Sequence, residues 1–170
     1  MSLSSTILHG IQRRRLDEEV GGAMSLREGM MFEKAWRVTE AEAADRHGNP
    51  HVHVLTTPVV VEWMEEAATA GVQPYLADGQ GTVGRTITMT HLAPTPVGVI
   101  VRIVARLTAI DGRRLLFRIE AFDEVEKIAE CEHERVIVEL GRFHDKARRK
   151  AQRERLANEA VDGSAAQEFP

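Results

Sequence analysis

Apolar and polar residues change their spacing several times along the chain, and each change marks an element. From Met30 the run MMFEKAWRV sets Met30, Phe32 and Trp36 in loose alternation, the period of a half-buried strand. Glu40 to His47 is polar and reads as a helical turn, and HGNPHVH, with Gly48, Asn49 and Pro50 together, reads as a loop. In TTPVVVEWMEEAATAGVQPYL the period becomes helical: Met64, Ala67, Ala68, Gly71, Val72 and Tyr75 make one apolar stripe. Thr57 suits the N-cap and Pro58 the first helical position, where its missing N–H costs nothing. Pro74 perturbs the last turn, and DGQG ends the segment.

Alternation then returns. TVGRTITMTH places Val83, Arg85, Ile87, Met89 and His91 on one face, and VGVIVRIVARLTAI does the same for Val99, Val101, Ile103, Ala105 and Leu107. Asp111-Gly112 is a hairpin signal, and LLFRIEAF and IAECEHERVIVEL supply two further strands. A lone helix with a wide apolar stripe must be covered by the sheet that follows it. The expected architecture is therefore α+β: an antiparallel sheet wrapped around one long central helix, the hotdog fold. Residues 27–150 form that domain. Residues 1–26, charged and broken by Gly21 and Gly22, are expected to be a peripheral or disordered extension, and 151–170 the end of a charged helix with a disordered tail.

Composition narrows the function classes. With 170 residues, 43% of them hydrophobic, the chain can bury a real core without disulfides or a structural metal. Its single cysteine, Cys131, reads as a small buried residue, since Glu130 and Glu132 disfavour a thiolate. A net charge of −4 gives no case for nucleic acid. No stretch reaches membrane-spanning length, and the charge at the start follows a short apolar run, the reverse of a secretory signal, so a cytoplasmic location is expected.

Four positions stand out for chemistry. Glu65 falls at the edge of the apolar stripe, where a carboxylate is costly unless hydrogen-bonded or used, the plain alternative being a rim group that reaches solvent. His91 ends a strand in phase with Ile87 and Met89, as a catalytic group or a satisfied core histidine. The Thr57 hydroxyl either caps the helix or serves a site. Gly84, inside a strand, indicates close backbone approach, and its N–H could serve an oxyanion.

TTPVVVEWMEEAA, then PYLADGQGTVGRTITMTHLAPTPVG, DGRRLLFRIEAFD and CEHERVIVEL, together resemble the fluoroacetyl-CoA thioesterase family of hotdog proteins over roughly residues 27–150. The resemblance implies a catalytic set of Thr57, Glu65 and His91, with Gly84 matching the family's glycine. It also implies an acyl-CoA substrate, no cofactor, and a homodimer whose sites lie at the subunit interface. Glu65 would activate water or attack the thioester carbonyl, His91 would shuttle protons or polarise the site, and Thr57 would orient the nucleophile or hold the carboxylate. CoA phosphates could meet Arg113, Arg114 or the basic run after Phe143. The family's aromatic lid before the threonine is absent: NPHVHVLT has no Phe, which argues against selectivity for the fluorinated acyl group.

Three rival readings are open to the same residues. The hydratase pattern Asp-x-Asn-Pro-x-His would need Asp at 47 and His at 52, where His47 and Val52 stand. His47, His51 and His53 suggest zinc, but the sequence shows no carboxylate or Cys near them at ligand spacing, so a solvated loop is the expectation and no metal is assigned. A hotdog dimer that binds an acyl-CoA or small ligand without turnover is the alternative from another class.

Overall fold

The computed structural model describes residues 25–165; expectations for 1–24 and 166–170 lie outside the described residues. Strand β1 (Met31–Arg37) leads through two 3₁₀ turns (Glu40–Glu42 and Ala44–Arg46) to helix α1 (Thr57–Val72). Strands β2 (Gln80–His91), β3 (Ile100–Asp111), β4 (Arg114–Phe122) and β5 (Lys127–Glu139) follow, then helix α2 (Leu140–Ala165). The strands form one sheet in the order β1-β3-β4-β5-β2, every neighbouring pair antiparallel. This is the α+β arrangement the spacing pattern predicts.

Helix α1 lies against β1, β3, β4 and β2. It buries Val59, Val60, Trp63, Met64, Ala67, Ala68 and Val72, a stripe that starts one turn earlier than the sequence reading placed it. Opposite them, Val101, Ile103, Ala105 and Leu107 of β3 are fully buried. Gly71 is needed at its place, because a Cβ there would stand 2.2 Å from Phe32 Cγ. Trp36 and Trp63 stack with ring centres 5.4 Å apart, tying β1 to the helix. Cys131 is buried in β5, and burial, with Glu132 and Glu65 adding to it, pushes its thiol up to about 12. It is an inert core residue, as expected.

Three local expectations are corrected. Thr57 is the first residue of α1, and Thr56 holds the N-cap position, with no side-chain cap bond; the Thr57 hydroxyl is thereby released from the helix. In β2 a bulge between Gly84 and Thr86 shifts the alternation by one. Thr82 and Gly84 before the bulge, and Ile87, Met89 and His91 after it, face the helix, while Arg85 reaches Glu134 on the opposite side. At the far end, α2 runs on through Gly163 and Ser164 to Ala165, residues that composition had assigned to the tail. The β3–β4 hairpin turns as expected, Gly112 supplying φ +58 at its first central position.

Candidate active site

Two clusters of polar side chains form on the helix side of the sheet. The first joins the start of α1 to the end of β2. Thr57 Oγ1 lies 2.9 Å from His91 Nδ1. The other ring nitrogen, Nε2, is buried and without a hydrogen-bond partner among the described residues. Burial holds the His91 imidazole below the ordinary value of 6.5, with a backbone interaction at Ala93 opposing. The ring is therefore neutral near pH 7, one nitrogen engaged with a hydroxyl and the other buried and unpaired. The pair borders a cavity of ≈ 290 Å³ whose wall includes Val52, Val54, Leu55 and Leu92. These are aliphatic residues from the loop before α1 and the loop after β2.

The second cluster centres on Glu65. Its Oε1 stands 3.4 Å from Arg135 Nη1 and 3.4 Å from His133 Nε2. The carboxylate reaches this position because Gly84 has no side chain: a Cβ there would lie 2.2 Å from Glu65 Oε1. The close approach expected at Gly84 is thus made by a carboxylate. Arg135 is buried, with Nε donating to Thr82 Oγ1 at 3.0 Å and Nη2 to the Thr82 carbonyl at 3.1 Å.

The tautomer of His133 follows from its partners. Nδ1 lies 2.8 Å from the Thr86 carbonyl, which can accept only, so Nδ1 carries the proton. Nη1 of Arg135, which can donate only, lies 3.0 Å from Nε2, so Nε2 accepts. Both ring nitrogens are satisfied in the neutral form. Burial, with the Arg135 charge adding to it, holds this imidazole below its usual value. Glu65 is the only carboxylate within ion-pair distance of this guanidinium among the described residues.

The structure therefore brings Thr57 and His91 together and places Glu65 with His133, Arg135 and Gly84. Thr57 and Glu65 stand eight positions apart on α1, a rise of about 12 Å. No hydrogen bond joins the two clusters among the described residues. His133 and Arg135 were missed in the sequence, although Ala129, Cys131, His133, Arg135 and Ile137 alternate in phase, which already puts both on the core face.

The loop histidines go elsewhere. His47 Nε2 bonds the Ala41 carbonyl at 2.9 Å, and His53 Nδ1 lies 2.9 Å from Asp45, with Glu40 beyond. The fold thus supplies carboxylates near His53 that sequence spacing did not show. No group of three ligand-type residues poised for a metal occurs among the described residues.

Comparison with known proteins identifies the family. The sequence profile described as fluoroacetyl-CoA-specific thioesterase matches residues 38–140. The chain belongs to this family. A fluoroacetyl-CoA thioesterase from Streptantibioticus cattleyicolor is 40% identical over 97 residues, 57% of this chain and 70% of that protein. A phenylalanine-to-alanine mutant of the fluoroacetyl-CoA-specific thioesterase, crystallised with fluoroacetate and CoA, superposes with a TM-score of 0.64 at 34% identity, over 69% of this chain and 99% of that one. A thioesterase superfamily member from Thermus thermophilus gives 0.72 at 28% identity, over 76% and 96%. The hotdog fold is established, and the family hydrolyses acyl-CoA thioesters.

Proposed function

We propose that this protein hydrolyses the thioester of small to medium acyl-CoAs, with Thr57, Glu65 and His91 as the catalytic set. The observation that carries the reading is the Thr57–His91 pair at 2.9 Å beside an aliphatic cavity, in a chain of this family. Water adds to the carbonyl carbon, or Glu65 adds first and water then cleaves the glutamyl anhydride it forms; the C–S bond breaks, the acid is released, and the proton that water gives up reaches the departing thiolate. Neutral His91 accepts and returns that proton, Thr57 orients the attacking oxygen, and Glu65 supplies the base or nucleophile. Arg135 donates to Oε1 of Glu65, leaving Oε2 without a hydrogen bond among the described residues.

The separation of the clusters along α1 leads to the second part of the proposal. The protein acts as a homodimer, and each site combines Thr57 and His91 of one copy with Glu65 of the other. The outer edge of β2 lacks a paired strand among the described residues, and edge pairing about a two-fold axis removes that liability. An isologous interface generates two such sites at once.

The cavity wall of Val52, Val54 and Leu55 offers apolar contact worth about 0.8 kcal/mol per buried CH₂ and nothing that recognises one fluorine. Pockets of this kind discriminate by roughly 10- to 200-fold per methylene. Free-thiol release across a straight-chain acyl-CoA series should show turnover, with less than about tenfold preference in kcat/KM for fluoroacetyl-CoA over acetyl-CoA. A preference several orders of magnitude larger contradicts the assignment of the wall. Saturable binding of every acyl-CoA without thiol release replaces the enzyme by a binding protein.

A further inference from the structure

A second concavity, larger than the one beside Thr57 and His91, lies away from both clusters. It measures ≈ 910 Å³ and sits between α2 and the β3–β4 turn, at the end of β5. Arg142, Lys146, Arg149 and Arg153 line it, spaced by four, three and four residues, and so form one stripe along α2. Of the nearby acids, Glu139 lies in the lining and pairs with Arg113, while Asp145 and Glu154 pair with Arg148 and Lys150, the last of which also lines the groove. Among the described residues no carboxylate pairs with any cation of the stripe. The two arginines that the sequence also offered for CoA phosphates are otherwise engaged: Arg113 with Glu139, and Arg114 in a fork on Glu134. Phe143 lies on the same wall, 42% exposed.

Four uncompensated cations on one helix face repel one another, and in a chain of net charge −4 that concentration is not a compositional accident. The site fits a compact polyanion that also carries a flat ring, since cations meet phosphate oxygens and an exposed aromatic stacks a base. Val138 belongs to the lining and stands three residues along β5 from Arg135, about 10 Å, but on the opposite face of the strand, so the pantetheine arm of CoA would pass around the end of the sheet. Leu140 packs over Gly81 and so fixes the start of α2 against β2. Nearly all of α2 lies beyond the residues the family profile matches.

We propose that this groove binds the nucleotide end of CoA, its phosphates on Arg142, Lys146 and Arg149 and its adenine against Phe143. The proposal rests on the acyl-CoA reading, and its test separates the two. Calorimetric titration of the full-length protein with adenosine 3′,5′-bisphosphate should show one site per chain. In the combined variant Arg142→Ala, Lys146→Ala, Arg149→Ala, its affinity should fall at least about tenfold. With turnover as the second readout, the ratio of kcat/KM for acetyl-CoA to that for acetylpantetheine should collapse by a similar factor. The variant Arg142→Lys, Arg149→Lys should keep most of both. Undiminished bisphosphate affinity in the triple variant overturns the proposal, as does an unchanged substrate ratio. Equal competition by inorganic phosphate reduces the groove to a general anion site and overturns it too. Loss of turnover confined to acyl groups on an acidic carrier protein overturns it in favour of a protein partner. Bisphosphate binding without any thiol release would uphold the groove and sink the thioesterase reading.

Discussion

At the scale of single residues, the Thr57–His91 bond and the Glu65–Arg135 pair define what each group can do. Glu65→Gln and His91→Ala should each lower thioester turnover at least about a hundredfold, the size of a general acid–base contribution, with the fold retained. A near-normal rate in either variant removes that residue from the catalytic set. The pH dependence follows from burial. Burial holds the folded values of His91 and His133 below the ordinary 6.5. A depressed value means that the stability present above 6.5 is lost as the pH falls through the folded value. Neutral His91 is the working form, so kcat/KM should stay level down to 6.5 and decline below it. An acid limb with its midpoint above 6.5 contradicts this. Thr57, Glu65 and His91 were legible as anomalies of type and position, but their partners were not. What joins Glu65 to Arg135 is contact between a helix and a strand 70 residues apart, which no local spacing encodes.

At the scale of elements, the strand and helix periods sufficed to place every strand and α1, because each buries one face and exposes the other. The β2 reading failed where the backbone departs from period two. The bulge at Gly84/Thr86 inverts the phase, so Val83 and Arg85 leave the face on which alternation had put them. The same distortion sets Gly84 beneath the Glu65 carboxylate, which links the irregularity of the strand to the site. Gly84→Ala tests that link. The added methyl would meet Glu65 Oε1 at 2.2 Å, and the end of a flexible side chain can swing away at little cost to stability. Turnover should therefore fall at least tenfold while the melting temperature moves by only a few degrees, roughly the effect of 1 kcal/mol. A large drop in stability with normal specific activity would make Gly84 a packing residue only. The N-cap misreading has a similar origin: Thr56 and Thr57 are adjacent and chemically alike, so sequence could not say which hydroxyl the helix leaves free.

At the scale of the whole molecule, the family and fold were readable from motifs spread across the chain, whereas the assembly was implied only by resemblance. A dimer is favoured by the separation of the two clusters, about 12 Å along α1, together with an edge of β2 that is unpaired among the described residues. Light scattering should give the mass of two chains at micromolar concentration, and a monomer would remove the shared site. The most direct measurement uses two inactive variants. His91→Ala and Glu65→Gln chains, co-expressed with different tags and purified as the mixed dimer, carry both lesions in one site and neither in the other. The account predicts that this mixed dimer recovers about half of the wild-type rate of thiol release from acetyl-CoA, while each parent homodimer stays nearly inactive. A mixed dimer as inactive as its parents would show that the catalytic residues act within one chain or not together at all.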